Sequence, residues 1–273
     1  MQLQAQHVEE ARLDAELLLA AAAGMSRASL LAHLDDAVSD DIAVRFAALI
    51  ERRARHEPVA YILGSKEFYG LDLLVDARVL IPRPETELLV EKALQWLNVR
   101  RSDEGYSILD IGTGSGAIAL ALASNYQLPI TMIASDVSAD ALAVAQHNAT
   151  RLALYDKIRF AQSDLFTTVE GTFDLIVANL PYIARDEWDN LAHDIAAYEP
   201  PLALDGGDDG LAVFRRFFAQ APGHLAPHGA IMLEIGWKQA QDVSALARAA
   251  FPKAEVEALK DGAGLDRIVV VQT

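Results

Sequence analysis

Apolar positions recur along this chain with two different periods, and the change of period divides it. Over residues 1 to 57 the spacing is helical throughout. Leu13, Leu17, Leu18 and Ala21 form one stripe, and Gly24 ends that helix. Ser26 caps a short second helix, and Ser39 with Asp40 and Asp41 starts a third that runs to Arg55. This predicts a small helical bundle, too short to be an enzyme alone. Residues 58 to 81 change character. Tyr61-Ile62-Leu63-Gly64, Phe68-Tyr69-Gly70 and Val79-Leu80-Ile81 are β-prone and carry turn glycines, which predicts a hairpin connector. Pro82-Arg83-Pro84-Glu85-Thr86-Glu87 then predicts a helix start, with Pro84 near its first position and acids in its first turn.

From residue 107 onward the period alternates between strand and helix. Ile108–Ile111, Ile130–Ser135, Ile158–Ala161, Phe173–Ala178, Ala230–Ile235 and Arg267–Val271 read as strands, and Ala117–Ala123 and Ala139–Ala149 are the clearest helices between them. Most of these strands are apolar throughout, as strands covered by helices on both faces must be. The expectation is an α/β protein: a doubly wound, Rossmann-like domain over 82–273, a helical bundle over 1–57 and a hairpin connector over 58–81.

Composition narrows the class. The chain has 273 residues, 52% of them hydrophobic, enough for a real core. With no cysteine, disulfides and thiolate chemistry are excluded. The first residues carry acids where a signal peptide would be basic, and no run approaches the roughly eighteen apolar residues of a membrane span. A cytoplasmic protein without membrane contact is the expectation. The net charge of −16 repels a phosphate backbone. The one basic cluster, Arg52-Arg53-Arg55-His56, closes a predicted helix, where cations suit the carbonyl end. His224 and His228 have helical spacing but are interrupted by Pro227, so no metal site is expected.

Candidate chemistry gathers at strand ends. Asp110-Ile111-Gly112-Thr113-Gly114-Ser115-Gly116 joins a strand to a helix, where glycines let the backbone turn tightly and approach a ligand. Asp136 ends the next strand, where a carboxylate can accept both hydroxyls of a ribose. Ser163-Asp164-Leu165-Phe166 follows the third strand, in position to flank an adenine. Loop and acid alone fit a dinucleotide as well as S-adenosylmethionine. The discriminating feature is Asn179-Leu180-Pro181-Tyr182 after the fourth strand. It offers a side-chain amide, backbone carbonyls and an aromatic face, which suit a planar NH2 group. It offers no acid or base for hydride chemistry.

The glycine loop, the acid after the second strand and this tetrad resemble class I S-adenosylmethionine-dependent methyltransferases acting on amide or exocyclic nitrogen. EPVAYILG (57–64), EFYG (67–70), VLIPRPETELLVE (79–91), YEPPLALDGGDDGL (198–211) and LEIG (233–236) narrow the resemblance to the HemK-type release-factor glutamine methyltransferases. It covers nearly the whole chain. It implies methyl transfer from S-adenosylmethionine, leaving S-adenosylhomocysteine, to the side-chain nitrogen of the Gly-Gly-Gln glutamine of peptide-chain release factors. By the same resemblance Gly112, Thr113, Gly114, Ser115, Gly116, Asp136 and Leu165 hold the cofactor, and Asn179 reaches both ligands. The Asn179 side-chain oxygen and the Leu180 carbonyl accept the substrate N–H groups, and Tyr182 packs on the glutamine.

Arg83, Glu85 and Glu87 lie in a segment the family packs near the cofactor, although first-turn charges on a helix explain them equally well. Glu199-Pro200-Pro201 and Gly206-Gly207 read as scaffold or lid. The family usually has Pro where this chain has Leu180. Leu retains the carbonyl, and Pro181 still biases it toward an extended conformation. Asn-Leu-Pro-Tyr also occurs in RNA adenine dimethyltransferases. The alternative is therefore an adenine N6 methyltransferase acting on RNA or DNA, which the acidity and lack of a basic stripe oppose. A non-catalytic nucleotide-binding scaffold is the third reading, opposed by the intact loop and tetrad.

Overall fold

A computed structural model of the chain describes residues 2–6, 8, 10–100 and 105–273. They form two compact units, residues 1–65 with 191–199 and residues 66–190 with 200–273.

The first unit contains helices α1 (Gln2–Ala5), α2 (Ala11–Ala23), α3 (Arg27–Ala32), α4 (Asp40–Arg53) and α5 (Val59–Leu63). Gly24 ends α2 in the left-handed conformation at φ 68°, and the side chains of Ser26 and Ser39 cap α3 and α4 by accepting from the Ser29 and Ile42 N–H groups. The buried face of α2 differs from the apolar stripe. Ala21 is exposed and Leu13 and Leu17 are only half-buried, whereas Ala11, Asp14, Leu18 and Ala22 are buried. A carboxylate occupies this face because Arg53 of α4 donates to Asp14 Oδ2 at 2.7 Å. Apolar periodicity cannot register a helix face that contains half of an ion pair.

Arg52 of the basic cluster is also engaged within this unit. It forms a two-pronged pair with Glu57, whose carboxyl is held below its usual range chiefly by that bond. Residues 59–63 are helical, which corrects the expectation of a β-prone start to the connector. Pro58 enters this turn at φ −57° and Gly64 leaves it at φ 73°, so helix start and stop signals outweigh the strand preference of Tyr61 and Ile62.

A hairpin follows, β1 (Ser65–Phe68) and β2 (Leu71–Leu74), which from Lys66 onward belongs to the second unit. Its turn residues Tyr69 and Gly70 both have positive φ, at 51° and 77°, the combination that matches strand twist in a two-residue loop. Val79-Leu80-Ile81 is not a strand; Val79 and Ile81 are buried as a packed loop. Helix α6 (Thr86–Arg100) begins two residues beyond Pro84, because the Thr86 N–H first closes a tight turn onto the Arg83 carbonyl at 3.1 Å.

Then follow β3 (Tyr106–Ile111), α7 (Ala117–Asn125), β4 (Ile130–Asp136), α8 (Ala139–Arg151), β5 (Ile158–Gln162) and β6 (Phe173–Asn179). Helix α9 (His193–Tyr198) belongs to the first unit, and the Tyr198 hydroxyl donates to the Arg55 carbonyl there at 2.7 Å. The chain ends with α10 (Ala212–Gln220), β7 (Leu225–Glu234), α11 (Ala240–Ala250), β8 (Glu255–Lys260) and β9 (Asp266–Gln272).

The sheet order is β5-β4-β3-β6-β7-β9-β8, parallel from β5 to β7 and antiparallel at β9 and β8. Alternate strand residues enter opposite cores. Ile108, Leu175, Val177 and Met232 face the layer containing α6 and α7, while Leu109, Ile176, Ile231 and Leu233 face the layer containing α10 and α11. Burial on both faces explains the unbroken apolar runs. Strand β8 carries Glu255, Glu257 and Lys260 on an exposed edge, and its polarity hid it from apolar-run reading.

Replacing Asp14 by Ala leaves the Arg53 guanidinium, 11% exposed, with the more distant Asp194 carboxylate, at 3.8 Å, in place of its 2.7 Å partner. A buried pair broken on one side costs about 3 kcal/mol. Hydrogen exchange of the α2 and α4 amides should accelerate roughly 100-fold while sheet amides stay unchanged, the conversion of that energy at 1.4 kcal/mol per decade. Uniform acceleration across both units would refute this assignment.

Candidate active site

The strand order reverses between β3 and β6, the switch point where open α/β sheets form a crevice at their carboxyl ends. Ile111 pairs with Ser135 on one side and with Ala178 on the other, so β3, β4 and β6 end at the same level. The loops that follow therefore meet. Gly112, Thr113, Gly114, Ser115, Asp136, Leu165, Asn179, Leu180 and Pro181 all line one cavity of about 580 Å³.

The glycine loop is closed on itself. The Gly112 and Thr113 N–H groups both donate to the Ser135 carbonyl, at 2.8 and 2.9 Å, and the Gly116 N–H donates to the Thr113 carbonyl at 2.8 Å. The Gly114 N–H donates to Asp136 Oδ2 at 2.9 Å, while Asp136 Oδ1 accepts from the Ser138 N–H at 2.9 Å. Gly116 does not line the cavity. At φ 85° a Cβ there would lie 2.9 Å from Leu120 Cδ1, so its role is close packing at the start of α7.

The anion at that helix start is the protein's own. Fully buried Asp110 accepts through Oδ2 from the Thr113 hydroxyl at 2.7 Å and from the Ala119 N–H at 3.2 Å. Its Oδ1 has no partner, and burial pushes its carboxyl up to about 7. Burial also raises Asp136. Engaged N–H groups, with the Asp136 carboxylate on the wall beside them, make a poor cradle for a pyrophosphate. The Asp136 carboxylate on the cavity wall suits ribose hydroxyls, and with the loop N–H groups engaged the residues present fit S-adenosylmethionine better than a dinucleotide. Leu165 adds a buried apolar wall, held at φ 52°, where a non-glycine residue is strained. Its neighbour Asp164 pairs with Arg216 on the rim.

The tetrad is built differently at each position. Asn179 ends β6 opposite Glu234 of β7. Its Nδ2 donates to Thr86 Oγ1 at 3.3 Å, and the Thr86 hydroxyl donates to Glu234 Oε2 at 2.6 Å. Leu180 is buried in the α10 and α11 core layer, with Cδ2 3.7 Å from where a Cβ on Gly112 would stand. Tyr182 packs against that same core and is not among the cavity walls; burial raises its hydroxyl far above the usual range.

Gln239, which sequence reasoning did not single out, and the glycines around Gly206-Gly207 fix this loop. Gln239 donates to the Tyr182 carbonyl at 2.9 Å and accepts from the Gly236 N–H at 2.9 Å. Gly206 and Gly210 lie so close behind that a Cβ would fall 2.7 Å from the Tyr182 carbonyl carbon and 2.5 Å from its oxygen respectively. The segment around Gly206-Gly207 is a buttress: the Gly206 N–H donates to the Ile183 carbonyl at 2.9 Å, and the Ile183 N–H to the Leu204 carbonyl at 3.0 Å.

Asn148 of α8 joins the hairpin to the glycine loop, donating to the Leu74 and Ser115 carbonyls at 3.0 and 2.9 Å. Of the charges flanking Pro84, Arg83 lines the cavity, Glu85 is exposed, and Glu87 accepts from the Tyr69 N–H at 2.9 Å; the uncharged Thr86 between them also lines the cavity. Pro200 and Pro201 also line the cavity. His224 stacks on Phe166, and His228 lies in β7 at φ 62°, so the two do not share a helix. Glu234 was detectable as the lone acid in an apolar strand; Thr86 and Gln239 carry no local signal.

Two family models match the chain, one described as PrmC N-terminal domain over residues 1–64 and one as methyltransferase small domain over residues 86–198. The chain is 42% identical over 268 residues to the release factor glutamine methyltransferase of Agrobacterium fabrum, covering 98% of this chain and 92% of that protein. It is 45% identical over 260 residues to the protein of that name from Bordetella pertussis, covering 94% and 93%. A solved methyltransferase from Pyrococcus furiosus matches with a TM-score of 0.54 at 20% identity, covering 84% of this chain and 98% of that one, a likeness of fold.

Asp110 gives the site a pH-dependent cost. Its folded pKa is raised from 3.8 to about 7, so the preference for the protonated form is complete below 3.8 and is lost as pH rises through 7. Asp110→Asn should therefore stabilise the ligand-free protein at pH 8 by about 2 kcal/mol, less than the full shift implies because two charge-assisted bonds weaken. In urea denaturation the advantage should shrink steadily toward pH 5. A constant difference across that range would contradict the assignment.

Proposed function

The chain belongs to the release factor glutamine methyltransferases, and on that basis we propose that it transfers a methyl group to the side-chain amide nitrogen of the Gly-Gly-Gln glutamine of a peptide-chain release factor. The observation that carries this reading is the convergence of the glycine loop, Asp136 and the Asn179–Pro181 stretch on one cavity. Among the described residues no helix is long and apolar enough to cross a membrane, and no cluster of His, Asp and Glu is arranged to hold a metal ion.

S-adenosylmethionine, when bound, supplies the methyl group on an electrophilic sulfonium. The loop over Gly112–Ser115 and the Asp136 carboxylate are the groups that would hold it, with Leu165 beside the adenine. Asp136 would meet the ribose hydroxyls with the same carboxylate that fixes Gly114, so that loop geometry and cofactor recognition would share one residue.

The substrate half of the reaction is a positioning problem. An amide nitrogen is a weak nucleophile because its lone pair is delocalised into the carbonyl. In this reading the Asn179 side-chain oxygen and the Leu180 carbonyl accept the two N–H bonds of the substrate amide. They aim the nitrogen and offset the positive charge that develops on it. Leu180 serves here as well as proline through its backbone, and its buried side chain anchors the carbonyl. Tyr182, held from behind by Gln239, Gly206 and Gly210, supports the loop from the core side. No carboxylate or His in the tetrad is a general base, so proton loss follows methyl transfer. The helical first unit, matched by its own family model, serves as the substrate-docking module.

The test is incubation of the purified chain with S-adenosylmethionine and a release factor, followed by peptide mass spectrometry. One added methyl on the Gly-Gly-Gln glutamine is expected. Asn179→Ala should lower turnover by about 10²–10³-fold, the cost of removing one transition-state hydrogen-bonding group. An unmodified release factor together with a methylated RNA or DNA adenine would transfer the chain to the nucleic-acid alternative.

A further inference from the structure

We infer that Glu234, acting through Thr86, is a positioning residue that fixes which end of the Asn179 amide meets the substrate. The inference rests on the reading above, in which the Asn179 oxygen accepts from the substrate nitrogen.

A side-chain amide has no steric preference between its two ends, because its oxygen and nitrogen are nearly equal in size. Presented oxygen-first, Asn179 accepts from the substrate NH2. Presented nitrogen-first, it sets donors against donors. Something must break that symmetry, and the hydrogen bonds behind Asn179 do so by counting protons. An ionised carboxylate only accepts. The Thr86 hydroxyl, with a single proton, donates it to Glu234 Oε2 at 2.6 Å. Only lone pairs remain on Thr86 for its other neighbour, so Asn179 must turn its NH2 toward Thr86, and this contact is made at 3.3 Å. The amide oxygen is thereby left for the cavity that Asn179 lines.

Three independent placements support the assignment. Glu234 pairs with Asn179 across the β6–β7 ladder, so the sheet register itself aligns them. Thr86 is the first residue of α6, 4% exposed, and is separated from Glu234 by 148 positions in the chain. Glu234 is 1% exposed between Leu233 and Ile235, both fully buried. A carboxylate there stabilises the fold poorly compared with an apolar residue of similar size. Its directional influence on Thr86 and Asn179 is what an apolar residue could not replace.

The charged groups around Glu234 come from several elements. Arg267 of β9 favours its ionised form, while Glu85, just before α6, opposes it; the Tyr182 hydroxyl is also within its field. The Thr86 hydroxyl and, more weakly, the Asn179 amide N–H also favour the carboxylate, the latter turning the NH2 end of Asn179 the same way as Thr86 does. Burial outweighs all of these and pushes the Glu234 carboxyl up to about 7. Above that pH the carboxylate holds the order just described. Below it, a protonated Glu234 can donate to Thr86, which frees the Thr86 proton for the Asn179 oxygen and turns the amide the wrong way.

The experiment is steady-state kinetics on the full chain with release factor and saturating S-adenosylmethionine, across pH 6 to 9, with cofactor binding by calorimetry to normalise active protein. Thr86→Val and Glu234→Gln should each lower kcat by about 10- to 100-fold, with cofactor Kd within about threefold of the parent. Thr86→Ser, which restores the hydroxyl, should recover kcat to within about threefold. The parent's kcat should fall with a single ionisation as pH drops through about 7, and Glu234→Gln should abolish that limb. Asn179→Ala is the control that separates the two levels of argument. If it is inactive while Thr86→Val and Glu234→Gln match the parent, the positioning role is wrong and the proposed function survives. Equal losses in Thr86→Ser and Thr86→Val, with an unchanged pH limb in Glu234→Gln, would also overturn it in favour of simple packing. Full turnover by Asn179→Ala would remove the reading beneath it.

Discussion

The parallel register of β3 with β6, in which Ile111 lies opposite Ala178, sets where every candidate group of the second unit stands. Both strands are buried on both faces, so a slip of one residue would exchange the α6 and α7 packing layer for the α10 and α11 layer along their whole length. The register is held by that double burial. Because β3 and β6 also flank the reversal in strand order, their exit loops open into one crevice and are not covered by a crossover helix. The glycine loop and the tetrad, separated by more than sixty positions in sequence, become walls of the same cavity for this reason.

Upon that frame the site is organised around acceptors. Asp110, Asp136 and Glu234 are all buried and all raised by desolvation. Each withholds stability from the folded chain while accepting hydrogen bonds from internal donors. Asp110 occupies the start of α7, where an anionic ligand would otherwise sit. Asp136 ties the glycine loop, and Glu234 orders the hydrogen bonds that end at Asn179. Strain and burial of this kind concentrate at functional sites because the surrounding core over-determines the geometry. Leu165 at positive φ belongs to the same pattern.

The tetrad loop is rigid by construction. Gly206 and Gly210 permit backbone to approach backbone behind Tyr182, and Gln239 links the Tyr182 carbonyl to the loop at Gly236. For a reaction that depends on aiming a poor nucleophile, a support of this kind matters as much as the contacting atoms. Leu180, the departure from the family's usual proline, fits the same logic. Its side chain is anchored in the core beneath the loop, which replaces the ring's restriction with packing.

Local chemistry was enough to read much of this in advance. The unbroken apolar strands, the Gly24 stop, the serine caps, the glycine loop, Asp136 and the tetrad each follow from neighbours within a few positions, where period and turn preference act. What failed locally was also physical. Pro58 and Gly64 enforced a helix on β-prone residues, polar β8 paired as an edge, and Asp14 entered a buried helix face because its partner lies on α4. The sequence by itself determined the buried apolar strands and the loops that line the cavity. Only the tertiary structure decided that Thr86, Asn179 and Glu234 touch, because strand order and register bring together three residues whose one-dimensional separation carries no trace of the contact.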